Sequence, residues 1–339
     1  MPRAVALPLF CILIGLSVVA QPAMAELPRP REPIGIQILY KEPSEPSLKL
    51  IHERLAKRKI LEQFKEFMAP LKLPRPLTVS LESCNGTVNA WYDRSSLKVT
   101  YCYELIGVIE QLVARSDVLP GFKREDALVG GFVQILLHET SHAVFHILEI
   151  PIFGREEDAA DALAEFTLLQ FGPTAARRTL TGTAFIWRAI ELLGRDHART
   201  FEDFSDDHGT DAQRFYNALC IAYGSDLVEG TKTFADFVQR KLLPSERQGH
   251  CAQEYLHARN SFVKLILPHV DQAMMKTVQA TDWLRPEDGT DILPPDPTGA
   301  GSGQGIPLGS GPRGSQTPPP GAPGGAGPGN AGPGSPGLR

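Results

Sequence analysis

His138-Glu139-Thr140-Ser141-His142 lies inside a long apolar stretch of the chain. On a helix, residues four apart share a face, so the rings of His138 and His142 can stand side by side. A helix that is apolar on nearly every side is buried. Burying two histidines and the Glu139 carboxylate is costly without partners, and a metal ion would supply one. The stretch therefore predicts a buried helix, over residues 125–147, that carries two ligands of a tetrahedral Zn²⁺ site.

A second acidic segment follows soon after His142 and has the pattern E-x-x-A-D, with Glu157 first and Asp161 last. A short loop usually returns a helix antiparallel to its neighbour. Glu157 would then lie opposite His142 as the third metal ligand. Asp161 would lie opposite His138, where it can accept the second ring N–H and fix the orientation of the ring.

Two other interpretations of this region stay open. Glu156, Asp158 and Glu165 are acidic as well, so the second segment could be a solvated acidic face. His146 is a rival third ligand, but it lies two turns beyond His138, too far along a straight helix to share one ion with it. We expect His146 to have a role in the surrounding shell or in the core.

The proposed ligands and Glu139 together predict a hydrolytic reaction. Zinc lowers the pKa of a bound water and polarises a peptide carbonyl, and Glu139 is placed to accept the proton of the water as the general base. A further hydrogen-bond donor normally stabilises the oxyanion; Tyr103, Tyr216 and Tyr223 are candidates that could equally be packing residues. The interpretation is a zinc-dependent metallopeptidase acting on a protein or peptide substrate.

Two alternatives use the same residues. A catalytically inactive, zinc-stabilised binding or scaffold protein of the cell envelope would keep the ligands and cleave nothing. Hydrolysis of a non-peptide amide would need the same zinc and the same base. Glu139 favours catalysis, because a purely structural zinc site needs no general base.

The N-terminus predicts export. Arg3 precedes an apolar run over residues 4–20, and Ala23-Met24-Ala25 resembles a signal-peptidase site before Glu26. The alternative is a membrane anchor, although the run is short for a span of about 20 apolar residues. We therefore expect a signal peptide over residues 1–25 and a periplasmic or secreted protein with no membrane span after cleavage. A net charge of -5 gives no reason to expect a nucleic-acid partner.

Four cysteines remain after the predicted cleavage, an even number that is typical of disulfides in exported proteins. The expected pairs are Cys84–Cys102, beside two strands, and Cys220–Cys251, between two helices. Free buried thiols or another connectivity are the alternatives. The sequence has no C-x-x-C pair, which disfavours zinc binding by cysteine.

The periodicity along the chain predicts an α+β fold that is mostly α. Strands are expected over residues 77–82, 89–93 and 97–101, and helices over residues 47–68, 104–114, 125–147, 156–171, 174–193, 212–223, 234–242 and 245–266. We interpret residues 26–290 as one zincin-like metallopeptidase domain with a small β-sheet preceding the H-E-x-x-H helix. Residues 294–339 are rich in Gly and Pro and cannot bury enough apolar surface to fold, so this tail is expected to be disordered.

Several short stretches resemble a bacterial family of zinc metallopeptidases of otherwise unknown function. The resemblance covers roughly residues 35–270 and is carried by residues 89–93, 102–105, 138–142, 154–161, 215–220 and 223–226. More broadly, E-x-x-A-D after H-E-x-x-H is similar to gluzincins, including membrane proteases that process prenylated proteins. Those proteases have transmembrane helices and this chain is not expected to, so their substrates are not transferred to it. The resemblance implies a zincin-like fold and the same metal ligands.

Overall fold

The computed structural model describes residues 35–114, 122–193, 199–201, 204–281 and 283. The predicted signal peptide and the Gly/Pro-rich tail lie outside these residues. All described residues fall within one unit, Pro33–Arg339.

A four-stranded mixed sheet forms the N-terminal part of the fold. Its strands are β1 (Ile36–Tyr40), β2 (Leu77–Glu82), β3 (Ala90–Asp93) and β4 (Lys98–Cys102), in the spatial order β1-β2-β4-β3. β1, β2 and β4 are parallel, whereas β3 is antiparallel to β4. A tight turn joins β3 to β4, and the Asp93 carboxylate accepts the backbone N–H of Ser95 at 2.8 Å.

Helices make up most of the remaining described chain, so the predicted mostly-α composition with a small sheet is confirmed. The helices are α1 (Pro46–Lys57), α2 (Ile60–Met68), α3 (Tyr103–Ala114), α4 (Arg124–Ile147), α5 (Glu156–Leu168), α6 (Pro173–Leu193), α7 (Asp211–Glu229), α8 (Asp236–Gln239), α9 (Ser245–Ser261) and α10 (Gln272–Ala280). A 3₁₀ turn, Leu169–Phe171, follows α5, and a π-helical segment, Phe262–Ile266, continues α9.

One predicted helix is divided, another is shortened, and two observed elements were not predicted. The helix predicted over residues 47–68 is two helices, because the chain turns at Lys59, which has a positive φ of 53°. The helix predicted over residues 234–242 is observed only as the short α8. The backbone turns after it at Lys241, which also has a positive φ. Strand β1 and helix α10 were not predicted.

Helix α4 is the centre of the core. It contacts α3, α5 and α6 as well as strands β3 and β4. Its backbone approaches that of α6 closely where Gly130 faces Gly182: a Cβ atom on Gly130 would lie 2.6 Å from Gly182 Cα. Among the described residues, none of the helices combines the length and the apolar character required to cross a membrane.

Both expected cysteine pairs lie at disulfide distance. Cys84–Cys102 ties the segment after β2 to the end of β4, and Cys220–Cys251 joins α7 to α9. One bridge therefore constrains the sheet, and the other holds two of the C-terminal helices together.

Candidate metal centre

The loop between α4 and α5 brings the H-E-x-x-H and E-x-x-A-D segments together. It follows the cap of α4 at Leu148 and contains Glu149 and Gly154, both with positive φ, 53° and 110°. α5 begins after Arg155, and its first turn is acidic, which is favourable at the positive end of the helix dipole. This chain reversal sets Glu157 against the histidines of α4.

Three ligand atoms converge between these helices. Glu157 Oε2 lies 3.0 Å from His138 Nε2 and 3.2 Å from His142 Nε2, and the two ring nitrogens are 3.3 Å apart. Zinc binds such atoms at about 2.0–2.1 Å, which separates two corners of a tetrahedron by about 3.4 Å. The two imidazoles and the carboxylate are therefore spaced to share one metal ion.

These three side chains are buried. His138, His142 and Glu157 are exposed by 2%, 2% and 7%. Such burial excludes the solvated acidic face as a description of Glu157. Asp161 is equally buried at 7%, whereas the neighbouring Asp158 is exposed.

His138 is supported by Asp161, one turn beyond Glu157 on α5. His138 Nδ1 lies 2.8 Å from Asp161 Oδ1, so its Nε2 is left to face the ligand cluster. Arg214 from α7 donates to both oxygens of Asp161 at 2.7 and 2.6 Å, and Gln134 donates at 3.0 Å. The guanidinium of Arg214 lies 3.6 Å from the centroid of the Trp187 ring. Burial would raise the pKa of Asp161, but Arg214 and His138 outweigh it and keep the pKa well below its usual range.

His142 is supported in the same way by Glu156. His142 Nδ1 lies 2.8 Å from Glu156 Oε1, and Arg94 donates to the two oxygens of that carboxylate at 2.9 and 2.7 Å. Arg94 directly follows β3, the strand at the edge of the sheet. Its ion pair with Glu156 therefore connects the sheet to His142.

Glu157 has its own support from the segment before α7. His208 Nε2 lies 2.9 Å from Glu157 Oε2, and His208 Nδ1 lies 3.1 Å from Asp206 Oδ1. The His208 ring stacks at 5.6 Å from that of His138. The backbone oxygen of His208 accepts from Arg155 at 3.5 Å, which ties this segment to the start of α5.

Glu139 lies next to this cluster without belonging to it. Among the described residues, its buried Oε2 has no hydrogen-bond partner. Burial raises the pKa of Glu139, although His138 and His142 act in the opposite direction. A buried carboxylate oxygen without a partner is costly, so this atom is suited to a water or a substrate group.

The other residues singled out in the sequence lie elsewhere. His146 Nδ1 is 2.8 Å from the Tyr92 hydroxyl, which belongs to β3, so His146 has a role outside the ligand cluster. Tyr103 is buried and its hydroxyl is 2.8 Å from His52 Nδ1. Tyr216 and Tyr223 are half-buried and pack against the core. None of the three tyrosine hydroxyls forms a hydrogen bond with His138, His142 or Glu157.

His208, Asp206, Arg214, Arg94 and Gln134 were missed by the sequence analysis. Four of them lie far from both motifs along the chain and reach the cluster only through tertiary packing. Gln134 could have been found from the sequence, since it lies one helical turn before His138 on the face of α4 that carries both histidines.

A comparison with protein-family models gives one match, over residues 40–266. The matched residues include strands β2, β3 and β4, the ligand cluster and its supports. Searches of curated proteins and of solved structures gave no match. The chain therefore belongs to the matched family, DUF4344, whose description is “Putative metallopeptidase”.

Proposed function

We propose that this protein is an exported zinc metallopeptidase that hydrolyses peptide bonds of a protein or peptide substrate. The observation that carries the proposal is the convergence of His138, His142 and Glu157 beside Glu139, whose buried Oε2 has no partner among the described residues. A purely structural metal site would need the ligands but would gain nothing from this fourth buried group.

The donor set fits zinc in its gluzincin-like arrangement. Two imidazoles and one carboxylate leave a fourth position open, which is typical of catalytic rather than structural zinc. When bound, zinc would act as a Lewis acid and make water more acidic. The mostly helical fold with its small sheet before α4 is consistent with a zincin-like domain.

Glu139 would be the general base. Its partner-free Oε2 is available to accept a proton from the attacking water, and burial raises its pKa and so makes it a stronger base than an exposed glutamate. The same carboxyl group could then return the proton to the leaving amine.

His208 would supply the hydrogen-bond donor that stabilises the oxyanion, a role for which the tyrosines are not placed. Asp206 accepts from Nδ1, and Nε2 faces the carboxylate of Glu157. The ring therefore directs an N–H at the ligand cluster when both of its nitrogens carry a proton. Its side chain is 18% exposed, which makes it more accessible than the buried ligands and leaves it open to a substrate. We infer that this N–H donates to the oxygen of the reacting carbonyl group, where negative charge develops.

Export is supported by the two cysteine pairs at disulfide distance, since such bridges persist in oxidising compartments. We propose a periplasmic or secreted location.

The test compares the wild-type protein with Glu139→Gln on a mixture of unstructured peptides, with cleavage followed by mass spectrometry. We expect about one zinc per chain in both proteins, because Glu139 is not a ligand. Cleavage should fall by roughly 10²–10⁴-fold in the variant, as is usual when a general base is lost.

Glu165→Gln is the matched control. Glu165 is also fully buried on α5, burial raises its pKa well above the usual range, and a neutral amide should replace a neutral acid without loss. A wild-type protein that binds zinc but cleaves no peptide would favour the scaffold alternative.

A further inference from the structure

A cavity lies behind the two helices that carry the candidate metal ligands. α4 lines it with Leu137, Ser141 and Val144, and α5 lines it with Leu163 and Thr167. Its volume is about 80 Å³. One water needs roughly 10–15 Å³ of such space, so the cavity has room for several atoms of a bound molecule.

The cavity is separate from the metal centre. His138, His142 and Glu157 do not line it. Leu137 and Ser141 each precede a ligand histidine by one residue, and on a helix adjacent residues point about 100° apart. The same two helices therefore present metal ligands on one side and an apolar wall on another.

The opposite wall is built from the C-terminal part of the chain and is firmly held. Met275 and Val278 of α10 belong to it. Asp271 caps α10 by accepting the backbone N–H groups of the first turn at 3.1 Å, and Trp283 Nε1 donates to Val278 O at 2.6 Å. An isolated β-bridge, Leu71↔Val270, fixes the chain before the helix. These contacts keep α10 from collapsing into the space.

The lining is mostly apolar, and none of the described residues that form it is charged. The hydroxyls of Thr140 and Ser141, which face this region, donate to carbonyl oxygens of their own helix at 2.7 and 2.8 Å. Their donor capacity is therefore already used. An ion or a sugar would lose more hydration here than the wall returns, whereas a hydrocarbon would be favoured.

One polar spot interrupts this apolar lining. Gln279 Nε2 donates to Gln170 Oε1 at 2.8 Å, and Gln170 Nε2 donates to Phe166 O at 3.3 Å. Gln170 and Gln279 both line the cavity and are half-buried, so they can exchange hydrogen bonds with a polar group at its edge. The combination matches a molecule with an apolar chain and one polar end.

We propose that this cavity binds the alkyl chain of a medium-chain fatty acid, with the carboxyl end at Gln170 and Gln279. Two features support an adaptable binding site. Met68 and Met275 line the cavity, and methionine side chains adjust readily to the shape of a ligand. Phe262 and Ile266 come from the π-helical segment, and such segments occur frequently at functional sites. The proposal does not depend on the peptidase function.

The first test is calorimetric titration of the purified protein with decanoate below its micellar concentration. Wild type should bind one decanoate. Met275→Trp should weaken binding at least tenfold by filling the cavity. Met274→Trp is the matched control: Met274 precedes Met275 on α10 but is 45% exposed and does not line the cavity, so its replacement should change binding less than twofold. Absence of binding by wild type, or equal binding by the two tryptophan variants, would overturn the proposal.

A second measurement needs no cavity variant. In protein labelled with ¹³C at the methionine methyl groups, decanoate should shift the Met68 and Met275 signals and leave Met274 unchanged. Binding should also persist in zinc-free Glu157→Ala, which separates this site from the metal centre. Loss of binding in that folded variant, or shifts confined to Met274, would contradict the assignment.

Discussion

His208 Nε2 lies 2.9 Å from Glu157 Oε2, although the two residues belong to separate parts of the chain. The contact joins a third histidine to the carboxylate that His138 and His142 also face. Glu157 has its pKa lowered far below the usual range, because its hydrogen bonds to the three histidines outweigh the effect of burial. It is therefore ionised at any pH at which the protein would work.

We predict that His208→Ala lowers kcat by roughly 10²–10³-fold, as is usual on removal of one oxyanion donor, with a much smaller change in KM. Zinc should remain bound, because both α4 ligands and Glu157 are kept. Asp206→Asn should give a smaller loss in kcat, since it affects only the orientation of the ring. An unchanged kcat in His208→Ala would assign His208 a structural role alone.

Asp161→Asn should weaken zinc binding by roughly 10–100-fold, the usual effect of removing the partner of a metal-bound histidine. Oδ1 of Asp161 accepts from His138, and both of its oxygens accept from Arg214. The amide would also leave the buried Arg214 without its counterion, at a cost of roughly 3–5 kcal/mol of stability.

Asp158→Asn is the control, since Asp158 lies on the same helix with its side chain 46% exposed. Chelator competition should give wild-type zinc affinity for this variant. Wild-type affinity in Asp161→Asn as well would mean that His138 does not need the carboxylate.

Zinc binding should strengthen steeply with pH. Burial lowers the pKa of His142, but its hydrogen bonds to Glu156 and Glu157 outweigh this and raise the pKa to about 10. Below that pH, the metal-free ring carries a proton that zinc must displace, so the apparent affinity should rise at least tenfold per pH unit.

Metal titrations at pH 6, 7 and 8 in a weakly chelating buffer would measure the slope. A histidine with an ordinary pKa of about 6.5 would give a curve that flattens above pH 7. Such flattening would contradict the strong coupling of His142 to its carboxylate neighbours.

The shared helix face of His138 and His142 and the E-x-x-A-D spacing were sufficient to propose Glu157 and Asp161. Helical periodicity and a short loop restrict where two such segments can meet. β2 was predicted over residues 77–82 for a similar local reason, since apolar and polar residues alternate along it. These inferences needed only the few residues on either side of each motif.

Other features depend on partners distant in the chain. β1 lies between Pro33 and Pro43 and reads as a loop until β2 pairs with it in parallel. The break at Lys59 has no Gly or Pro to mark it. His208 and Arg214 reach the ligands only because α7 packs against α5 and α6.

The close approach of α4 and α6 gives a final prediction, that Gly182→Ala destabilises the protein. A Cβ atom there would lie 1.9 Å from Asp126 O and 2.9 Å from Gly130 Cα, so α6 would have to move away from the helix that bears His138 and His142. Overpacking of this kind costs about 1–3 kcal/mol. Gly249→Ala is the control: Gly249 lies within α9 with nothing near its missing side chain, and alanine should add about 1 kcal/mol there through helix propensity. Thermal unfolding should therefore shift in opposite directions in the two variants, and a stabilised Gly182→Ala would show that the helices are not held at this distance.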